Sequence, residues 1–139
     1  RPEYGEGERY YMNYQRHKSE ESVEDYLETI LILSKQKAQV RSIDVANELG
    51  YSKPSVSVAM KNLRQKNYVL VSDEGYLSLT EEGLKLASTV YERHSVISNW
   101  LISLGVSQEV AVEDACRMEH DISDESFAAI KKYLQDAGK

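Results

Sequence analysis

The run Asp114-Ala-Cys-Arg-Met-Glu-His120 constrains this chain more than any other stretch. On a helix, Cys116, Glu119 and His120 stand at i, i+3 and i+4 and share one face. A thiolate, a carboxylate and an imidazole gathered there can surround a divalent cation from one side. Three donors do not close such a site, so the fold must bring others to it. The sequence offers Asp25 and Glu28, themselves i and i+3 apart, and His94. All three segments read as helix, so one cation held by these residues would tie three helices together.

A chain of 139 residues is about one domain, or one with a small appendage. Its apolar fraction of 41% supports a core, and 29% charged residues marks a soluble protein. No stretch approaches the roughly 18 apolar residues of a membrane helix, and no signal peptide is visible. One cysteine cannot form an internal disulfide, so the expected location is cytoplasmic and the thiol is free for other work. A lone Cys is more often a small buried hydrophobe; here Glu119 and His120 on the same face favour a ligand.

The net charge of −6 argues against nucleic acid as a partner, but the charge is segregated. Residues 35–70 set Lys35, Lys37, Arg41, Lys53, Lys61, Arg64 and Lys66 against only Asp44 and Glu48. Residues 105–139 hold eight acids against Arg117, Lys131, Lys132 and Lys139. One end can meet a polyanion while the other concentrates carboxylates near a cation.

Residues 1–21 show no apolar periodicity and read as a flexible arm or a remnant of trimming or tagging, with Met12 as a candidate natural start. From Ser22, read as an N-cap, Val23, Tyr26, Leu27, Ile30, Leu31 and Leu33 form a stripe at 3.6 spacing. After a polar loop, Ser42 is read as the cap of a short helix that Gly50 ends. Ser52 caps the next helix, with Pro54 in its first turn. That helix turns Val56, Met60 and Leu63 inward and leaves Ser52, Lys53, Ser55, Ser57 and Lys61 outside. The pair reads as a helix-turn-helix. Tyr68–Val71 and Tyr76–Leu79, separated by a Gly75 turn, add a β-hairpin in the position of a wing.

Thr80 then caps a long helix to about Leu104, with Leu84, Ala87, Tyr91, Ile97, Trp100 and Leu101 as its apolar face and His94 within it. Ser107 and Ser123 cap two further helices. The expected fold is therefore mainly α: a winged helix-turn-helix with a small β-hairpin over 22–80, then an all-helical domain over 81–139. No repeat, phosphate-cradling Gly loop or nucleophilic triad is present, and the chain reads as no enzyme.

Ser52-Lys-Pro-Ser-Val-Ser57, Leu79-Thr-Glu-Glu-Gly83 and Cys116-Arg-Met-Glu-His-Asp-Ile-Ser-Asp-Glu125 resemble the diphtheria-toxin-repressor family of metal-dependent transcription regulators, over about residues 22–137. The resemblance implies a homodimer that binds double-stranded operator DNA and represses metal-uptake genes when Fe²⁺ or Mn²⁺ is bound. Cys116, Glu119 and His120 match the cluster of iron-sensing members. Asp25 and Glu28 match helix-one ligands of short manganese-sensing members, which carry Glu where Cys116 stands. Val112 and Ser98 stand where an ancillary site would want His and Glu. With the chain ending at Lys139, the short two-domain form is expected.

The candidate metal ligands are thus Asp25, Glu28, His94, Cys116, Glu119 and His120, for Fe²⁺ or Mn²⁺, with Co²⁺, Ni²⁺ or Zn²⁺ possible in vitro. The thiolate shifts preference towards softer ions than carboxylates alone would choose. Ser52, Lys53, Pro54, Ser55, Ser57 and Lys61 are expected in the major groove, and Arg41 and Arg64 at phosphates. The competing readings are a metal-independent winged-helix interaction module and a metalloenzyme.

Overall fold

The computed structural model describes residues 22–138; the expected arm over 1–21 lies outside the described residues. Those residues order as α1 (22–36), β1 (Val40–Arg41), α2 (Ser42–Leu49), α3 (Lys53–Gln65), β2 (Val69–Val71), β3 (Tyr76–Leu79), α4 (Glu81–Ser103), α5 (Gln108–Asp121) and α6 (Asp124–Ala137). The fold is mainly α with one small antiparallel sheet. Two compact units divide the chain between Thr89 and Val90, within α4. The expected domain boundary at 80/81 falls at the start of that helix.

In the unit that begins at Ser22, the apolar stripe of α1 is buried: Leu27 and Ile30 are fully covered, each worth about 1.5–3 kcal/mol of burial. Against it pack Val45 and Ala46 of α2 and Val56, Met60 and Leu63 of α3. Gly50 ends α2 in the left-handed region, at φ 71°, and its N–H reaches the Ala46 carbonyl. The Ser52 hydroxyl accepts from the Ser55 N–H at 3.3 Å, which starts α3. Asn67 closes that helix at φ 64°, while the Tyr68 N–H reaches back to the Leu63 carbonyl at 2.9 Å. An amide side chain tolerates this left-handed turn better than most.

The sheet has three strands in the order β1-β3-β2, one more than the expected hairpin. Val40 pairs with Leu77 and Arg41 with Tyr76; Val69, Leu70 and Val71 pair with Leu79, Ser78 and Leu77. This extra strand also corrects the start of α2. Arg41 is still extended and acts as N-cap, with its N–H donated to Asp44 Oδ2 at 2.9 Å. Ser42, read as the cap, is the first helical residue. Lys37 pairs with Asp44 at 2.8 Å, and these hydrogen bonds hold the Asp44 carboxyl below its ordinary range, that from Lys37 most.

Thr80 caps α4 by accepting the Gly83 N–H at 3.0 Å. Gly83 sits against the Tyr68 main chain, where an added Cβ would lie 2.1 Å from the carbonyl oxygen. Only a glycine permits this approach of α4 to the wing.

In the unit that begins at Val90, Ile97, Ala115 and Phe127 form the buried centre, with Leu101, Met118 and Ile122 packed on it. Ser107 and Ser123 cap α5 and α6, accepting from the Val110 and Ser126 N–H groups. The apolar face expected for α4 is rotated: Ala87, Val90 and Ile97 are buried, whereas Leu84 and Tyr91 are exposed. No helix among the described residues is long and apolar enough to cross a membrane.

Candidate metal centre

His94 lies at mid-length of α4, and Cys116 and Glu119 lie on the second half of α5. Packing around Ile97 of α4 and Ala115 of α5 brings the three side chains together. His94 Nδ1 is 2.9 Å from Glu119 Oε2 and 3.7 Å from Cys116 Sγ. All three donor atoms lie within 4.8 Å of one another. Bonds of about 2.0–2.3 Å from a first-row cation to N, O and S donors place those donors about 3–4 Å apart. The spacing therefore suits one such ion, and the donor set of imidazole, thiol and carboxylate suits a transition metal rather than Mg²⁺ or Ca²⁺.

Burial grades across the cluster. Glu119 is 1% exposed, whereas Cys116 is open to solvent. The Glu119 carboxylate lies between two imidazoles, since its Oε1 is 3.3 Å from Nε2 of the buried His120. Hydrogen bonds that His94 donates to Cys116 and then Glu119 favour its protonated form, and its pKa is raised to about 10. A cation ligated by His94 at the same nitrogen would have to displace that proton.

The structure thus brings His94, Cys116 and Glu119 together, with His120 beside Glu119. Asp25 and Glu28 stand one turn apart on α1 in the other unit, both half-buried. On α3, Lys53, Pro54, Ser55, Ser57, Lys61 and Arg64 are all exposed, as is Ser52 at its cap. The Ser52 hydroxyl donates to Ser55 Oγ at 2.8 Å, so these two side chains are mutually oriented. Arg41 has a structural task as well. Its Nη1 donates to the Glu74 carbonyl at 2.9 Å, and its guanidinium lies 4.4 Å from the Tyr76 ring centroid, bracing the tip of the wing.

Two residues escaped the sequence reading. Val58 is 61% exposed on the same basic face of α3, an apolar side chain among hydroxyls and lysines. Arg93 is buried beside His94; its position between Val90 and Ile97, on the buried stripe of α4, was the available signal.

A family model described as the N-terminal DNA binding domain of iron dependent repressors matches residues 19–77. A second, the metal binding and dimerisation domain of the same repressors, matches residues 80–138. The chain is 37% identical over 118 residues to the transcriptional regulator MntR of Escherichia coli O6:H1, covering 85% of this chain and 76% of that one. It is 32% identical over 102 residues to the regulator MntR of Geobacillus kaustophilus, covering 73% and 72%. Among solved structures, the manganese regulator SloR superposes with a TM-score of 0.72 at 31% identity, over 81% of this chain and 53% of that chain. A manganese-dependent transcriptional repressor in complex with manganese gives 0.74 at 26%, over 81% and 52%. The chain spans about half the length of these solved structures. Two domain matches in the expected order, with relatives above 30% identity along most of the chain, establish that it belongs to the diphtheria-toxin-repressor family of iron-dependent repressors, the metal-dependent transcriptional regulators.

Proposed function

We propose that this regulator is a homodimeric repressor of metal-uptake genes that binds its operator when Fe²⁺ or Mn²⁺ is held at the His94, Cys116 and Glu119 cluster. The observation that carries this reading is the convergence of those three donors within 4.8 Å. His120, Asp25 and Glu28 supply the remaining ligands. A bound divalent cation supplies positive charge that these donors share as a common ligand set. Glu119, too buried to be well solvated, exchanges the protonated His94 for the divalent cation as its counter-charge. Cys116 favours Fe²⁺, while the oxygen donors keep Mn²⁺ close behind.

Holding α1 by Asp25 and Glu28 and α4 and α5 by the cluster narrows the spacing of two α3 helices in a dimer. Without that restriction, each DNA encounter bears the ordering cost, so metal and DNA binding strengthen each other. Ser52, Lys53, Pro54, Ser55, Ser57 and Lys61 face the major groove, with Arg41 and Arg64 at phosphates. The exposed Ile102, Leu104, Val110 and Val112 of the helical unit support a second copy as its cover.

The test is anaerobic selection from a pool of random-sequence duplexes with Fe²⁺, with Mn²⁺ and with chelator. A palindromic sequence enriched only with metal is the expected result. Equal enrichment with chelator, or none at all, defeats the proposal.

A further inference from the structure

Arg93 is 8% exposed and immediately precedes His94 on α4. Its side chain reaches the end of α5 and the start of α6. Nη1 donates to the carbonyl oxygens of Glu119 at 3.2 Å and Ile122 at 2.6 Å. Nη2 donates to Asp124 Oδ1, and the guanidinium lies 5.5 Å from the centroid of the Phe127 ring.

Burying an arginine is costly, and the Arg93 Nε makes no hydrogen bond among the described residues. A permanent cation is also a poor neighbour for a metal centre, because it repels the ion. Packing alone would be better served by an apolar side chain. What the arginine does supply is a planar fork that addresses two carbonyls and a carboxylate at once.

Those carbonyls matter because of where α5 stops. The last turn of a helix leaves C=O groups without intrahelical partners. Many helices satisfy them locally with a left-handed glycine; α5 instead leaves through Ile122 in an extended conformation. The Arg93 fork therefore fastens the turn that carries Glu119 and His120 to the helix that carries His94. Fraying of that turn would take the Glu119 carboxylate away from His94.

We propose that Arg93 is the positioning residue of the metal centre, holding the backbone of Glu119 so that its carboxylate stands at His94 before any ion arrives. This rests on the assignment of His94, Cys116 and Glu119 as ligands. Asp124, with a side chain 96% exposed, is the outer anchor of the clamp. Glu125, the other acid in the first turn of α6, is not among the partners of Arg93.

The experiment is an anaerobic Co²⁺ titration of the full chain, following the thiolate-to-cobalt charge-transfer band, with circular dichroism of each metal-free variant. Arg93→Lys should keep the helical spectrum, weaken Co²⁺ binding by about 10- to 100-fold and alter the band. Asp124→Ala should weaken binding in the same direction by a smaller factor, and Glu125→Ala should not. If Arg93→Lys folds and keeps the unmodified affinity and band, the proposal is overturned. If it fails to fold, Asp124→Ala decides on the same criterion, and equal weakening by Glu125→Ala also overturns the proposal. An unmodified protein that binds Co²⁺ without the band removes the ligand assignment itself, an outcome distinct from unchanged variants of a protein that shows it.

Discussion

His94 Nδ1 and Glu119 Oε2 stand 2.9 Å apart between α4 and α5, an imidazole half-open to solvent against a carboxylate that is almost fully covered. With Cys116 contributing the larger share, these neighbours raise the His94 pKa to about 10. The raised value means that protonated His94 stabilises the metal-free fold. That contribution is complete below the ordinary pKa of 6.5 and is lost as pH rises through about 10. The metal-free protein should therefore lose thermal stability from pH 7 to 10, and His94→Gln should flatten that slope. Metal affinity runs the other way, because ligation displaces the proton. Calorimetry in buffers of different ionisation enthalpy should show about one more proton released per ion than in His94→Gln; equal release would remove His94 from the ligand set.

Cys116 contributes the sulfur of the cluster and lies at its solvent edge. Replacing sulfur by oxygen in Cys116→Glu should move the ranking towards Mn²⁺ and weaken the responses to Fe²⁺, Co²⁺ and Zn²⁺. Cys116→Ala should keep the metal-free fold and lose the cobalt charge-transfer band. Competition titrations against a coloured chelator give the ranking directly. An unchanged order in both variants would leave the thiol as packing alone.

Gly83 has no room for a side chain, since a Cβ there meets the Tyr68 carbonyl oxygen at 2.1 Å. That oxygen also accepts the Thr80 N–H at 3.0 Å, so it cannot move away freely. Gly83→Ala should destabilise the protein by about 1–3 kcal/mol, read as a lower urea midpoint at unchanged slope. Gly138→Ala, where the nearest atom is at 3.5 Å, should stay within about 0.5 kcal/mol.

Lys61 is exposed on α3, on the turn after Ser57 and Val58. Lys61→Ala should weaken operator binding and lower its salt dependence, because one cation facing the duplex is removed. Val58→Ala changes no charge, so it should leave the salt slope intact. Fluorescence anisotropy at several KCl concentrations separates the two, and an unaltered slope in Lys61→Ala would take α3 off the DNA.

Local chemistry made much of this fold legible. Ser52, Thr80, Ser107 and Ser123 each cap the helix they precede, because a hydroxyl three residues ahead of an N–H needs only local geometry. β1 was not legible: two residues after a polar loop are too few to show alternation, and their pairing with β3 spans some 35 residues of chain. The same pairing moved the α2 cap from Ser42 to Arg41. Cys116 and Glu119 share a face by spacing alone, whereas their meeting with His94 is tertiary and could be inferred only from the chemistry of the donors. Arg93 stayed hidden because a charged residue in an amphipathic helix ordinarily marks the wet face.

With β3 in the middle, β1 and β2 are the two margins of the sheet. A margin exposes a row of unpaired N–H and C=O groups that can recruit a strand from another molecule. Here the rows are two and three residues long, too brief to hold a foreign strand in register. Leu70 can therefore point outward from β2, 56% exposed, without making the wing a seed for fibrils.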